Sequence, residues 1–230
     1  MLDWQPKAPY TAEQLLEILR ILRDPENGCP WDKVQTHASI RKNFLEETCE
    51  ALEAIDADDP QLMQEELGDV LMQVAFHTCM EQETGRFTWE QVCDGVCQKL
   101  IERHPNIFGT KPGYEGITDW DALKNKEKGR RTLADDLESV PRAMPALMRA
   151  AKLQKRAARH GAALQGADAA ALADAAENLQ TAQPASAQAE QAVGELLFAA
   201  ANLARQAGVD PEQALQKANE AFCTAAGPVA

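Results

Sequence analysis

Nearly every periodic stretch of the chain has the spacing of a helix. Thr11-Ala12-Glu13-Gln14 has the form of a capping box, and Leu15, Leu16, Ile18, Leu19 and Leu22 follow at intervals of three and four. Asp24-Pro25 and Asn27-Gly28 end this helix in a turn. Ser39 is placed to cap a second helix running to about Ile55. Asp58-Asp59-Pro60 opens a third, which carries Leu62, Met63, Leu67, Val70, Leu71, Val74 and Ala75 and stops near Gly85. Thr88-Trp89-Glu90-Gln91 is a second capping box, and its helix ends at His104-Pro105. No stretch alternates as a strand would. Four helices with short connections predict an all-α protein built on an antiparallel bundle.

The second part of the chain is different in composition. Phe198 and Phe222 are the only aromatic residues after Trp120, and Ala and Gln dominate from about Ala157 onward. The turn residues of Gly109–Gly116 and the restart at Pro141-Arg142-Ala143-Met144-Pro145 predict three regions: a domain over 1–108, a linker over 109–141 and a second domain over 142–230. The 230 residues carry 36 acidic and 23 basic side chains, a formal net charge of −13. That balance disfavours direct nucleic-acid binding. No run approaches the ~18 apolar residues of a membrane span. The start has no basic segment followed by an apolar one, so a cytoplasmic protein with no membrane partner is expected. None of the 6 cysteines forms a Cys-x-x-Cys pair. They are expected to be reduced and structural, with Cys93 and Cys97 one turn apart on a buried face.

The acidic residues are where chemistry is suggested. Glu46, Glu47 and Glu50 lie on the second helix, and Glu66 and Asp69 on the third. Spacings of three and four place Glu47 with Glu50, Glu46 with Glu50, and Glu66 with Asp69 on shared faces. Phe44, Leu45 and Leu52 interleave with the first set, and Leu67, Val70 and Leu71 with the second, so both sets border core-type positions. Two neighbouring helices can thus aim four carboxylates at one another. That is costly unless a cation compensates, and a set of hard oxygen ligands suits Mg²⁺ or Mn²⁺. The plainer alternative is a solvated helix face, but no Lys or Arg stands four residues after any of these glutamates. A di-iron carboxylate bundle needs Glu-x-x-His pairs, and neither His77 nor His104 has a Glu three residues before it. Lys99 and Arg103 share a face of the fourth helix, and Lys124 leads a basic run in the linker. Cations beside a metal cluster fit a polyphosphate.

Several segments in order, Gly28-Cys29-Pro30-Trp31-Asp32, Gln35-Thr36-His37, Glu46 to Glu50, Glu66-Leu67-Gly68-Asp69, His77 and Lys99 to Pro105, closely resemble the MazG family of nucleoside triphosphate pyrophosphohydrolases. The resemblance implies tandem helical bundles of the four-helix type and a homodimer. It also implies a hydrolase acting on phosphoanhydride bonds with Mg²⁺ as cofactor. The substrate would be a nucleoside triphosphate, cleaved to the monophosphate and pyrophosphate for house-cleaning or control of the nucleotide pool. By the same resemblance Glu47, Glu50, Glu66 and Asp69 hold metal and Glu46 orients water or a further metal. Lys99 and Arg103 contact phosphates, with Lys124 of the linker run a further candidate from its charge, and Trp31 and Trp120 pack near the base. The second half carries an echo: Ala192-Val193-Gly194-Glu195 stands for Glu66 to Asp69, Asp174 and Glu177 for Glu47 and Glu50, and Ala221 and Ala225 for Lys99 and Arg103. It is therefore expected to be a degenerate copy. Two other functions stay open: a non-catalytic nucleotide-sensing or dimer scaffold, and a hydrolase of a modified or alarmone nucleotide.

Overall fold

A computed structural model describes residues 4–5, 7–109, 128–129 and 132–227. The described residues form nine α-helices and one short 3₁₀ turn, with no strand. The chain divides into two compact units, Met1–Gly116 and Ile117–Ala230.

Unit 1 holds α1 (Ala12–Leu22), α2 (Arg41–Asp56), α3 (Pro60–Glu83) and α4 (Trp89–Arg103), with the 3₁₀ turn at Asp32–Val34. Thr11 and Thr88 close the two capping boxes, and Asp59 caps α3 with Pro60 at its first position. These caps satisfy amides that a helix start leaves without partners. Ser39 does not cap α2, whose preceding residue Ile40 makes no side-chain cap. The Ser39 hydroxyl instead donates to Gln35 Oε1 at 2.7 Å and receives the Thr36 amide at 2.8 Å, closing the turn one residue earlier.

α3 has two halves with different tasks. Its C-terminal half joins α1 in the core, where Leu16, Leu19, Ile40, Ala75, Phe76, Cys79 and Met80 are buried together. Its N-terminal half lies along α2, where the small residues Ala51 and Ala54 are buried. The apolar residues that flank the acidic positions are not core in this unit. Leu45 is 55% exposed, Leu52 54% and Leu67 51%. α4 lies mainly against α3, with Trp89 at its start packed on the core, and none of its residues is buried. Cys93 is half-buried and Cys97 exposed, so the buried cysteine face expected there is absent within the unit.

Before α2 the chain is clamped. Cys29 donates its amide to Leu22 O at 2.8 Å, folding the Gly28–Asp32 segment back onto the end of α1. A Cβ on Gly28 would lie 2.4 Å from Asp24 O and 2.5 Å from Leu22 O, so only glycine fits. Arg23 spans the turn. Its Nη1 donates to Asp32 O at 2.7 Å, its Nη2 to Glu83 Oε2 at 2.8 Å, and its guanidinium lies over Phe76.

Unit 2 holds α5 (Leu133–Glu138), α6 (Ala146–Arg159), α7 (Ala169–Thr181), α8 (Ala187–Gln206) and α9 (Pro211–Ala226). The helix pairings repeat those of unit 1: α7 pairs with α8 as α2 does with α3, and α6 lies on α8 as α1 lies on α3. The core is mostly alanine (Ala157, Ala167, Ala175, Ala192, Ala199 and Ala201) and closes with polar bonds: Gln154 donates to Phe198 O at 2.7 Å and Asn202 to Ala167 O at 2.6 Å. α5 falls within the stretch expected as linker. Thr132 caps it, and it carries the fully buried Asp136.

Candidate active site

Glu47 from α2 and Glu66 and Asp69 from α3 each bring one carboxylate oxygen within 4.8 Å of the others. α2 and α3 pack along their length, and the spacing of three on α3 turns both its acids toward α2. All three residues are half-buried, and Glu50 is exposed at the margin. Among the described residues none of these four carboxylates has an ion-pair partner. Burial and neighbouring like charge raise the pKa of two of them. Burial, then the charge of Asp69, pushes the Glu47 carboxyl up. Burial, then the charges of Glu50 and Asp69, does the same to Glu66. An all-oxygen donor set with several negative charges and no protein cation against it fits a hard divalent ion such as Mg²⁺ or Mn²⁺.

Gln73 stands one turn beyond Asp69. It is 4% exposed, and its Nε2 points to Glu47 Oε1 at 3.5 Å. Its Oε1 is buried and has no partner among the described residues. The same face of α3 continues to His77 and Glu81. His37 Nδ1 lies 2.6 Å from His77 Nδ1, and His37 Nε2 lies 2.6 Å from Glu81 Oε1. Arg86 grips both oxygens of Glu81 at 2.7 Å. Phe44 meets the His77 ring edge-on. Sequence reasoning attached no role to Gln73. The signal was its place four residues after Asp69, inside the otherwise apolar run from Val70 to Phe76.

The other candidate residues are dispersed. Glu46 is not in the carboxylate cluster; it pairs with Lys42 Nζ at 3.1 Å, one turn earlier on α2. Trp31 is 55% exposed at the 3₁₀ turn, where its carbonyl receives Gln35 Nε2 at 2.9 Å. Lys99 is exposed on α4, and Arg103 is half-buried in its last turn. Lys124 and Trp120 lie outside the described residues. In unit 2, Asp174 and Glu195 line one open groove with Gly166, Gly194 and Phe198, while the buried Ala192 offers no ligand at the third position. Among the described residues no helix is long and apolar enough to cross a membrane.

The carboxylate cluster falls inside a recognisable domain. Residues 35–108 match the MazG nucleotide pyrophosphohydrolase domain. A nucleoside triphosphate pyrophosphohydrolase of Escherichia coli (strain K12) is 42% identical over 219 residues, covering 91% of this chain and 83% of its own length. The nucleoside triphosphate pyrophosphohydrolase/pyrophosphatase MazG of Thermotoga maritima is 39% identical over 218 residues, with 94% and 84% covered. A nucleoside triphosphate pyrophosphohydrolase of Mycobacterium tuberculosis is 34% identical over 154 residues, 65% of this chain and 46% of that protein. Similarity of this extent spans both units as well as the matched domain, and the chain belongs to the MazG family.

Proposed function

We propose that this chain is a divalent-cation-dependent nucleoside triphosphate pyrophosphohydrolase, converting a nucleoside triphosphate and water to the monophosphate and pyrophosphate. The observation that carries this is the group Glu47, Glu66 and Asp69, three carboxylates within 4.8 Å and without an ion-pair partner among the described residues. A scaffold has no reason to gather like charges without compensation. The names of the relatives point to the same reaction.

Glu47, Glu50, Glu66 and Asp69 hold the cation, Mg²⁺ or Mn²⁺. When bound, it neutralises phosphate charge and acidifies water. Lys99 and Arg103 supply positive charge to the phosphates not held by metal. Hydrolysis then joins the water oxygen to the α or the β phosphorus as the anhydride bond between them breaks, and the fragment on the other side departs with the electron pair. Glu46 remains a candidate for orienting water, released from Lys42 when substrate binds, and Trp31 for packing near the base. Unit 1 is the catalytic unit, and unit 2 is a degenerate repeat kept for packing or dimerisation.

The protein acts as a homodimer. α4 has no buried residue, and Leu45, Leu52, Leu67, Leu71, Val96 and Leu100 are exposed on unit 1. Apolar exposure on three helices of one unit is what a second copy would cover. Light scattering after size exclusion should give twice the mass of one chain. A screen of ribo- and deoxynucleoside triphosphates with Mg²⁺, resolving pyrophosphate from orthophosphate, tests the activity. Pyrophosphate and monophosphate are expected; nucleoside diphosphate and orthophosphate as first products would contradict it.

A further inference from the structure

Gln73 is a costly residue for its place. It is a buried amide on a helix whose next turns, at Ala75, Phe76, Cys79 and Met80, form the core. Its Oε1 has no partner among the described residues, and leaving a buried acceptor unmet is unfavourable. Leucine or methionine would fill a similar volume without that cost. The amide's one polar contact is Nε2 toward Glu47 Oε1 at 3.5 Å. The orientation is fixed by charge, because turning the amide over would set its oxygen against a carboxylate.

An amide is also the group a cation site tolerates best at this point. A lysine or arginine there would neutralise the cluster and compete with the ion, and a further carboxylate would add like charge where burial, then neighbouring carboxylates, already raise Glu47 and Glu66. A neutral donor restricts one oxygen of Glu47 without changing the charge. Partners of this kind orient metal ligands. Unit 2 supports the link. Counting from the matched glycines Gly68 and Gly194, the position of Gln73 is Ala199, buried and without a polar group, in the repeat that has lost the ligand at Ala192.

We propose that Gln73 is a positioning residue for the cation, holding Glu47 so that it converges with Glu66 and Asp69. This rests on the metal-site reading. The test is Mn²⁺ binding to the nucleotide-free full chain, by calorimetry or by the electron-spin signal of free Mn²⁺, together with melting temperature in EDTA. Gln73→Met and Gln73→Leu should weaken Mn²⁺ binding by about 10- to 100-fold, while the metal-free melting temperature stays unchanged or rises. Mn²⁺ affinity within twofold of the unaltered chain in both variants would overturn the proposal and leave the metal site standing. A metal-free melting temperature that falls in both variants would make Gln73 a structural residue and overturn it equally. No Mn²⁺ binding by the unaltered chain would remove the metal-site reading itself, and this proposal with it.

Discussion

In unit 2, Asp136 meets Arg156 at 3.0 Å, Arg159 at 2.8 Å and His160 at 3.1 Å, all from α6 or the residue just after it. In unit 1, Glu47, Glu66 and Asp69 meet one another and one amide. Both units place carboxylates between packed helices, but Asp136 is met by cationic side chains of its own unit, whereas among the described residues none is set against the Glu47 group. A carboxylate compensated in this way fastens α5 to α6. A group of them left uncompensated reserves its affinity for something from outside. The helix pairings are shared, so what sets the two units apart at this place is a few side chains: Glu66 against Ala192, Gln73 against Ala199.

The largest expected effect breaks this comparison from the structural side. Asp136→Asn strips charge from a buried network and should cost unit 2 about 3–5 kcal/mol, read in urea unfolding, while Mn²⁺ binding by the folded protein is unchanged. Loss of Mn²⁺ binding in a folded Asp136→Asn protein would erase the distinction between the two units. Next, Glu66→Gln should lower kcat/KM by about 100-fold, or roughly 2.7 kcal/mol, with helicity intact by circular dichroism. Glu195→Gln, which in unit 2 stands at the place of Asp69, should stay within about twofold of the unaltered chain, since the place of Glu66 is taken there by Ala192, which offers no ligand. The reverse outcome would move catalysis to unit 2.

Lys99→Ala and Arg103→Ala should each cost about 1–3 kcal/mol in kcat/KM, the range for a hydrogen bond to a charged group. Unchanged kcat/KM in both would return them to surface charges. The smallest effect concerns pH. The Glu66 carboxyl is raised above its ordinary 4.5, so in the window from about that pH up to its raised value the folded, metal-free chain binds more proton there than the unfolded chain. Its contribution to stability therefore falls as pH rises through that window. Without metal, Glu66→Gln should gain stability relative to the unaltered chain as pH climbs above about 4.5, and the gain should level off. A gain independent of pH would mean that the charge of Glu66 is not what strains the cluster.

The helices of unit 1 were readable because their starts are chemical: Thr11, Asp59 and Thr88 have side chains that cap. The pairing of α2 with α3 and the convergence of Glu47, Glu66 and Asp69 followed from periodicity. Three things did not. Leu45, Leu52 and Leu67 have the spacing of core residues, and periodicity does not distinguish a face buried within a unit from one left for a partner. Glu46 has no cation one turn after it, but Lys42 stands one turn before it and takes its charge. α5 has six residues, too few to show a period, so Asp136 passed for part of a linker. Gln73 belongs to a fourth kind. A single amide in an apolar run carries no pattern, and its meaning comes only from the carboxylate beside it.

The chain of contacts from Arg86 to His77 has a consequence in tautomers. Arg86 donates to both oxygens of Glu81, which keeps that carboxylate an acceptor. The hydrogen in the contact between His37 Nε2 and Glu81 therefore sits on nitrogen. A neutral His37 has no other, so its Nδ1 is a bare lone pair and must receive the Nδ1–H of His77. Burial, then the neighbouring His37, pushes the His77 pKa down, in keeping with a neutral ring. His77 is left in its Nδ1–H form with Nε2 free to accept, the less common tautomer of imidazole. A guanidinium just past the end of α3 thus dictates, through two intervening side chains, where the hydrogen sits on a ring inside that helix. Only one hydrogen fits between nitrogens 2.6 Å apart, so one of the two facing Nδ1 atoms is a bare acceptor.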